Sequence, residues 1–142
     1  MKKYNRGYTA GVFDMFHIGH LNILKNAKKM CKFLIVGVST DKVVKENKNK
    51  IPIIPFNERI QIVNSIKYVD SVLPQDGYDE DYKVKLAKEL KIDVMFVGSD
   101  WKDTPKWNQL EKRLKEIGCD VVYLEHTDGI SSTILRSKIT EK

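Results

Sequence analysis

Two of the chain's three histidines, His17 and His20, stand three residues apart with Gly19 between them. On a helix, that spacing puts both imidazoles on one face. Gly19 carries no side chain to hold a ligand's phosphates off the backbone. A helix's first turn also presents free N–H groups and the positive end of its dipole, which suit an anion. Imidazoles placed there can donate to a phosphate and stabilise charge that develops in a transition state. A capping pair or two surface histidines would be the ordinary alternative. A metal site is not indicated, because the chain has neither an HExxH pair nor a cysteine cluster.

Two more stretches carry chemistry-bearing types. Glu125-His126-Thr127-Asp128-Gly129-Ile130-Ser131-Ser132-Thr133-Ile134-Leu135-Arg136 gathers four hydroxyls at the entry of a helical segment. Gly129 permits a tight turn there, and Arg136 lies one turn inside, in reach of the same anion. The alternative is a capping cluster with a surface arginine. Gly98-Ser99-Asp100-Trp101 puts the Asp100 carboxylate where it could position a ribose hydroxyl or an amine; its alternative is a turn with a packing tryptophan.

These residues need elements to hold them. Apolar runs and helical periods alternate along the chain. Tyr8 to Phe13 reads as a short strand, and Leu21, Leu24, Ala27, Met30 and Cys31 recur at helical spacing from Ile18 on. Phe33 to Ser39 is a continuous β-branched run, the pattern of a strand buried on both faces. A polar, lysine-rich loop leads to Lys50, and the two prolines of Ile51-Pro52-Ile53-Ile54-Pro55 exclude a central strand or helix. Asn57 reads as the N-cap of a helix through Ile60, Val63, Ile66 and Val69. Ser71 to Pro74, Asp93 to Gly98 and Val121 to Leu124 read as strands. Helices are expected around Tyr82 to Leu90, from Trp107 to Ile117 with Gly118 as its stop, and from Thr133 to Ile139. Such alternation predicts a single α/β domain over 1–142, a five-stranded parallel sheet with helices on both faces and ligands at the carboxyl ends of its strands. All three chemistry-bearing stretches begin at such ends.

Composition narrows the partners. Of 142 residues, 42% are hydrophobic and 31% charged, which suits a folded domain and not a disordered one. The longest apolar runs are far short of the roughly 20 residues a membrane span needs, and no signal-like apolar segment follows the basic N-terminus, so a cytoplasmic protein without membrane insertion is expected. The formal charge of +6 implies acidic partners. Its clearest cluster, Lys42, Lys45, Lys48 and Lys50, comes with no nucleic-acid recognition motif, so a phosphorylated small molecule is favoured over nucleic acid. Cys31 and Cys119, with no partner cysteine at motif spacing, read as buried small hydrophobes.

Gly11-Val12-Phe13-Asp14 followed by His17-Ile18-Gly19-His20 resembles the first motif of the HxGH nucleotidylyltransferase superfamily. The stretch from His126 to Thr133 is similar to the Arg-Thr-Glu-Gly-Ile-Ser-Thr-Thr motif of the cytidylyltransferase family, with Asp128 for glutamate and His126 where the family has arginine. Gly98-Ser99-Asp100-Trp101, Ser39-Thr40-Asp41 and Tyr68-Val69-Asp70 match further family motifs in the same order. In length and motif set the chain most resembles the small bacterial members that act on glycerol 3-phosphate.

That resemblance implies a Rossmann-like fold and the transfer of a cytidylyl group from CTP to sn-glycerol 3-phosphate, giving CDP-glycerol and pyrophosphate for teichoic-acid or capsule assembly. His17, His20, Lys50 and Arg136 would stabilise the reacting phosphates. Val12, Phe13, Asp14, Gly19, Asp100, His126, Thr127, Gly129, Ile130, Ser131, Ser132 and Thr133 would line the nucleotide site with them. Lys48, Arg59 and Lys83 would hold the acceptor, Lys45 being the alternative to Lys48. Mg²⁺ would be carried on the CTP phosphates, with no protein ligand required, and the protein would be a homodimer. The same fold could instead use ethanolamine phosphate, or transfer an adenylyl group, or bind a nucleotide without catalysis. The Thr127-to-Thr133 stretch argues for cytidine, and the intact histidine and lysine set argues for catalysis.

Overall fold

The computed structural model describes residues 2–127 and 129–140. Five parallel strands, β1 (Tyr4–Gly11), β2 (Cys31–Ser39), β3 (Ser71–Gln75), β4 (Val94–Gly98) and β5 (Asp120–Leu124), form one sheet in the order β3-β2-β1-β4-β5. The helices are α1 (Ile18–Met30), α2 (Asp41–Lys48), α3 (Phe56–Asn64), α4 (Glu80–Leu90), α5 (Pro105–Glu116) and α6 (Ser132–Thr140), and a short 3₁₀ turn spans Ser99–Trp101. The parallel five-stranded α/β architecture read from the sequence is the one observed.

Alternation along β2 explains the layers. Leu34, Val36 and Val38 face a core that includes Leu24 and Ala27 of α1 and Val63 of α3. Ile35 faces the opposite core, with Val84 and Ala87 of α4 and Trp107, Leu110 and Leu114 of α5. Both faces of the strand are therefore apolar, which is why its sequence shows no polar alternation. Cys31 and Cys119 are fully buried in these two cores, as expected.

Three local readings are corrected. The polar stretch after β2 is not a loop but α2, capped by Thr40, whose Oγ1 accepts from the Val43 N–H at 3.2 Å, and ended by Asn49 in the left-handed region at φ 51°. Its only buried residues are Val43 and Val44, too few for a visible period. The next helix starts at Phe56 behind Pro55, not behind Asn57, and ends at Asn64. Asp41 supplies the cap, accepting from the Phe56 N–H at 3.2 Å. Cys31 opens β2 instead of closing α1: its backbone is already extended at φ −136°, so strand follows helix without a linker. Pro74 sits in β3, tolerated because β3 is an edge strand.

Candidate active site

The strand order reverses direction at β1, whose neighbours are β2 and β4. β1 pairs with β2 up to Gly11–Val38, but with β4 only from Gly7–Val94 to Thr9–Phe96. Beyond Thr9 the two strands part, and a cavity of ≈ 640 Å³ opens between their carboxyl ends. It is lined by Ala10 and Gly11 of β1, Val97 and Gly98 of β4, and side chains from both faces of the sheet. A topological switch point is where such sheets bind ligands.

The chain leaves β1 through Phe13 and Met15, both at positive φ (55° and 48°), a conformation uncommon for such side chains and concentrated at functional sites. It enters α1 through a reciprocal cap. His17 is the N-cap, its Nδ1 accepting from the Gly19 N–H at 3.1 Å, and His20 Nδ1 accepts from the His17 N–H at 3.1 Å. With both Nδ1 atoms accepting, each neutral ring carries its proton on Nε2. The rings stack with centroids 3.8 Å apart, and His20 also packs against Phe13 and Phe16. Burial, then His17, pushes the His20 imidazole down to about 4, and burial lowers His17 as well. Both are neutral N–H donors at pH 7. Gly19 has a further reason: a Cβ there would come within 2.8 Å of His17 Cε1.

Asp14, buried between the two left-handed residues, ties three segments together. It accepts from the Ile53 and Ile54 N–H groups at 2.9 and 2.8 Å and from Arg136 of α6. Burial alone would raise its carboxyl, but these donors hold it below the usual carboxylate value. Ser132 Oγ donates to the Asp14 carbonyl at 2.6 Å, which seats α6 on the same loop. Arg136, Ser132, Thr133, Lys48 and Lys50 thereby border the cavity on the side of His20. Surrounding protein, then Lys50 and Arg136, lower the Lys48 ammonium.

At the ends of β4 and β5, His126 Nε2 and Asp100 Oδ1 are 3.0 Å apart. Gly98 leaves room for the pair, since a Cβ would stand 2.9 Å from that oxygen and 3.0 Å from that nitrogen. The cavity continues over the strand ends to the other face, where Tyr8, Gln75, Tyr78, Lys83, Lys106 and Trp107 line it. Burial, then Lys106, pushes Lys83 down to about 8.

Val12, Phe13, Asp14, His20, Lys48, Lys50, Lys83, Asp100, His126, Ser132, Thr133 and Arg136 thus meet at one cavity. Lys45 does not line it. Nor does His17, which stacks behind His20 and encloses its own Nε2 without a partner among the described residues. Gly19, Thr127, Gly129, Ile130 and Ser131 lie outside the lining: Thr127 ties β5's exit to α1 by accepting from Asn22 Nδ2 at 2.9 Å, and Ser131 Oγ caps the Ile134 N–H. Asp128 falls outside the described residues. Arg59 departs furthest from its expected role. It is 1% exposed, donating to the carbonyls of Ile54, Val12 and Ser39 at 2.6–2.8 Å and to Asp41 Oδ1 at 2.6 Å. It braces the exits of β1 and β2 from beneath instead of facing a substrate. Tyr8, Gln75, Tyr78 and Lys106 escaped the sequence reading, because no motif brings segments so far apart to one wall.

The cytidylyltransferase-like family model matches residues 8–138, and the chain belongs to that family. It is a nucleotidyltransferase of the cytidylyltransferase type. It is 32% identical to a glycerol-3-phosphate cytidylyltransferase of Staphylococcus aureus over 96% of each chain. It is also 36% identical to an FAD synthase of Pyrococcus horikoshii, over 96% of this chain and 93% of that one. Among solved structures, a lipopolysaccharide core biosynthesis protein from Thermoplasma volcanium superposes with a TM-score of 0.68 at 30% identity, covering 87% of this chain and 96% of that one.

Proposed function

We propose that the protein transfers the cytidylyl group of CTP to sn-glycerol 3-phosphate, forming CDP-glycerol and pyrophosphate. The observation that supports this most is the single cavity joining the His20–Lys48–Lys50–Arg136 wall to the Lys83 wall, with room for a nucleotide and an acceptor side by side. An acceptor phosphate oxygen attacks the α-phosphorus in line. The new P–O bond forms as the bond to the β-phosphate bridging oxygen breaks, and pyrophosphate leaves with that electron pair. The chain's work is positioning and charge stabilisation. His20 donates its Nε2–H to phosphate oxygen, and His17 holds that ring by stacking and by the cap. Lys48, Lys50 and Arg136 offset the charge of the phosphates. Asp100 and His126 stand where a ribose or base would reach the ends of β4 and β5.

Mg²⁺ belongs to this proposal as an ion carried on the CTP phosphates, where it would neutralise charge. Asp14, whose oxygens already accept from Ile53, Ile54 and Arg136, fits a structural role better than ligation. The homodimer, the cytoplasmic setting and the teichoic-acid or capsule pathway are parts of the same proposal. The FAD synthase relative favours a second reading, with identical chemistry, in which an adenylyl group goes to a flavin phosphate.

Pyrophosphate release with Mg²⁺, crossing CTP and ATP against glycerol 3-phosphate, ethanolamine phosphate and flavin mononucleotide, separates the readings. Release with CTP and glycerol 3-phosphate is expected; release only with ATP and the flavin would replace the proposal by the second reading.

A further inference from the structure

The cations of the cavity fall into two sets. Lys48 has Lys50 and Arg136 as its charged neighbours, whereas Lys83 has Lys106, Asp79 and Glu80. The first set borders the histidine wall. The second sits across the strand ends on the α4–α5 face, where Lys83 Nζ lies 4.8 Å from the centre of the Trp107 ring. Trp107 is 6% exposed and lines the cavity, and its indole N–H has no partner among the described residues.

The carboxylates near this second pole are already engaged. Asp79 caps α4 by accepting from the Tyr82 N–H at 2.7 Å, and Glu80 accepts from Arg113 at 3.1 Å. Among the described residues, neither Lys83 nor Lys106 has an ion-pair partner. The carboxylates that line the cavity among the described residues, Asp14 and Asp100, are paired with Arg136 and His126. Among the described residues, this part of the lining therefore includes two ammonium side chains without an ion-pair partner and a tryptophan whose indole N–H has no partner. An ammonium-ended ligand would add a third cation to this pole, and the Trp107 face that could hold it by cation–π attraction is taken by Lys83.

We propose that Lys106 is a specificity-determining residue that, with Lys83 and Trp107, reads the far end of the acceptor and selects phosphorylated acceptors ending in hydroxyl or anionic oxygens over those ending in an ammonium group. This rests on the transferase reading above and adds to it the acceptor class and a residue outside the family motifs.

The test uses the full chain with CTP and Mg²⁺, comparing glycerol 3-phosphate with ethanolamine phosphate in the wild type, K106Q and K106E. Lys106 is solvent-exposed, so both variants should fold, and a thermal melt checks this. The wild type should prefer glycerol 3-phosphate in kcat/KM by at least about tenfold, the scale of one misplaced charge. K106Q should raise the KM for glycerol 3-phosphate about tenfold while the KM for CTP stays put, and K106E should shift the ratio further, toward ethanolamine phosphate. A second readout is independent of packing. The KM for glycerol 3-phosphate should rise above pH 8 in the wild type as Lys83 loses its proton, and K106Q should move that break upward by removing the neighbouring charge. Turnover of glycerol 3-phosphate with a ratio and a pH break unmoved by either variant would overturn the selectivity alone. A wild type that turns over neither acceptor would overturn the glycerol 3-phosphate reading, and this selectivity with it.

Discussion

His20 does two jobs through its two nitrogens: Nδ1 closes the cap of α1, and Nε2 is the donor on the cavity side. These can be separated. Glutamine at the third position of a helix completes the same capping box, so H20Q should keep its melting temperature within about 2 °C yet lose turnover by about 10² or more. Near-wild-type turnover would remove His20 from catalysis. The same nitrogen predicts acid sensitivity. In the unfolded chain the imidazole takes its proton near 6.5, but in the folded protein only near 4. This contribution to stability is therefore complete above pH 6.5 and is lost as pH falls toward 4. The loss between pH 7 and 5 is about 2 kcal/mol. Thermal melts at the two pH values should show it in the wild type and a smaller loss in H20Q; equal losses would mean the cap does not depend on a neutral imidazole.

At the scale of elements, the carboxyl edge of the sheet is a junction of loops held by two internal polar anchors. Asp14 draws the Ile53–Ile54 backbone and α6 onto the exit of β1, and Arg59 draws together the exits of β1 and β2, the Ile54 carbonyl and the start of α2. An unmet buried carbonyl costs about 1–3 kcal/mol, so R59A should destabilise the fold by about 3 kcal/mol or more. R59K, a single point donor, should recover only part of that. Denaturant unfolding measures the loss. Full stability combined with a raised acceptor KM would instead return Arg59 to the substrate-binding role its sequence position suggested.

For the whole molecule, a cavity lined by strand ends and by helices from both faces of the sheet means that ligand binding should appear as global stabilisation. CTP at about 100 times its dissociation constant adds about 2.7 kcal/mol, which raises the melting temperature of a chain this size by about 8 °C. ATP at the same concentration should raise it clearly less. Equal shifts would remove the preference for cytidine that the Thr127-to-Thr133 stretch suggests and favour the adenylyl reading.

Most of what a local pattern can encode was legible. The buried strands β2 and β4 announced themselves as apolar runs, and the parallel sheet followed from their alternation with helices. The histidine pair was legible because both rings lie within one helical turn, so neighbouring residues alone set their geometry. What failed was whatever depends on distant partners. α2 escaped because it buries just two valines, and α3 was misplaced because its cap comes from Asp41, fifteen residues away. Arg59 reads in the sequence as one charge on a helix. Only the folded chain brings the carbonyls of Val12, Ser39 and Ile54 around it and turns it inward. The division of cavity cations into a histidine-side set and a Lys83–Lys106 set is likewise decided by tertiary structure, because β1 and β4 separate and helices on opposite faces of the sheet supply the two walls. A sequence determines patterns within a turn or a strand; the meeting of strand ends, where this chain puts its chemistry, is fixed by how the layers pack.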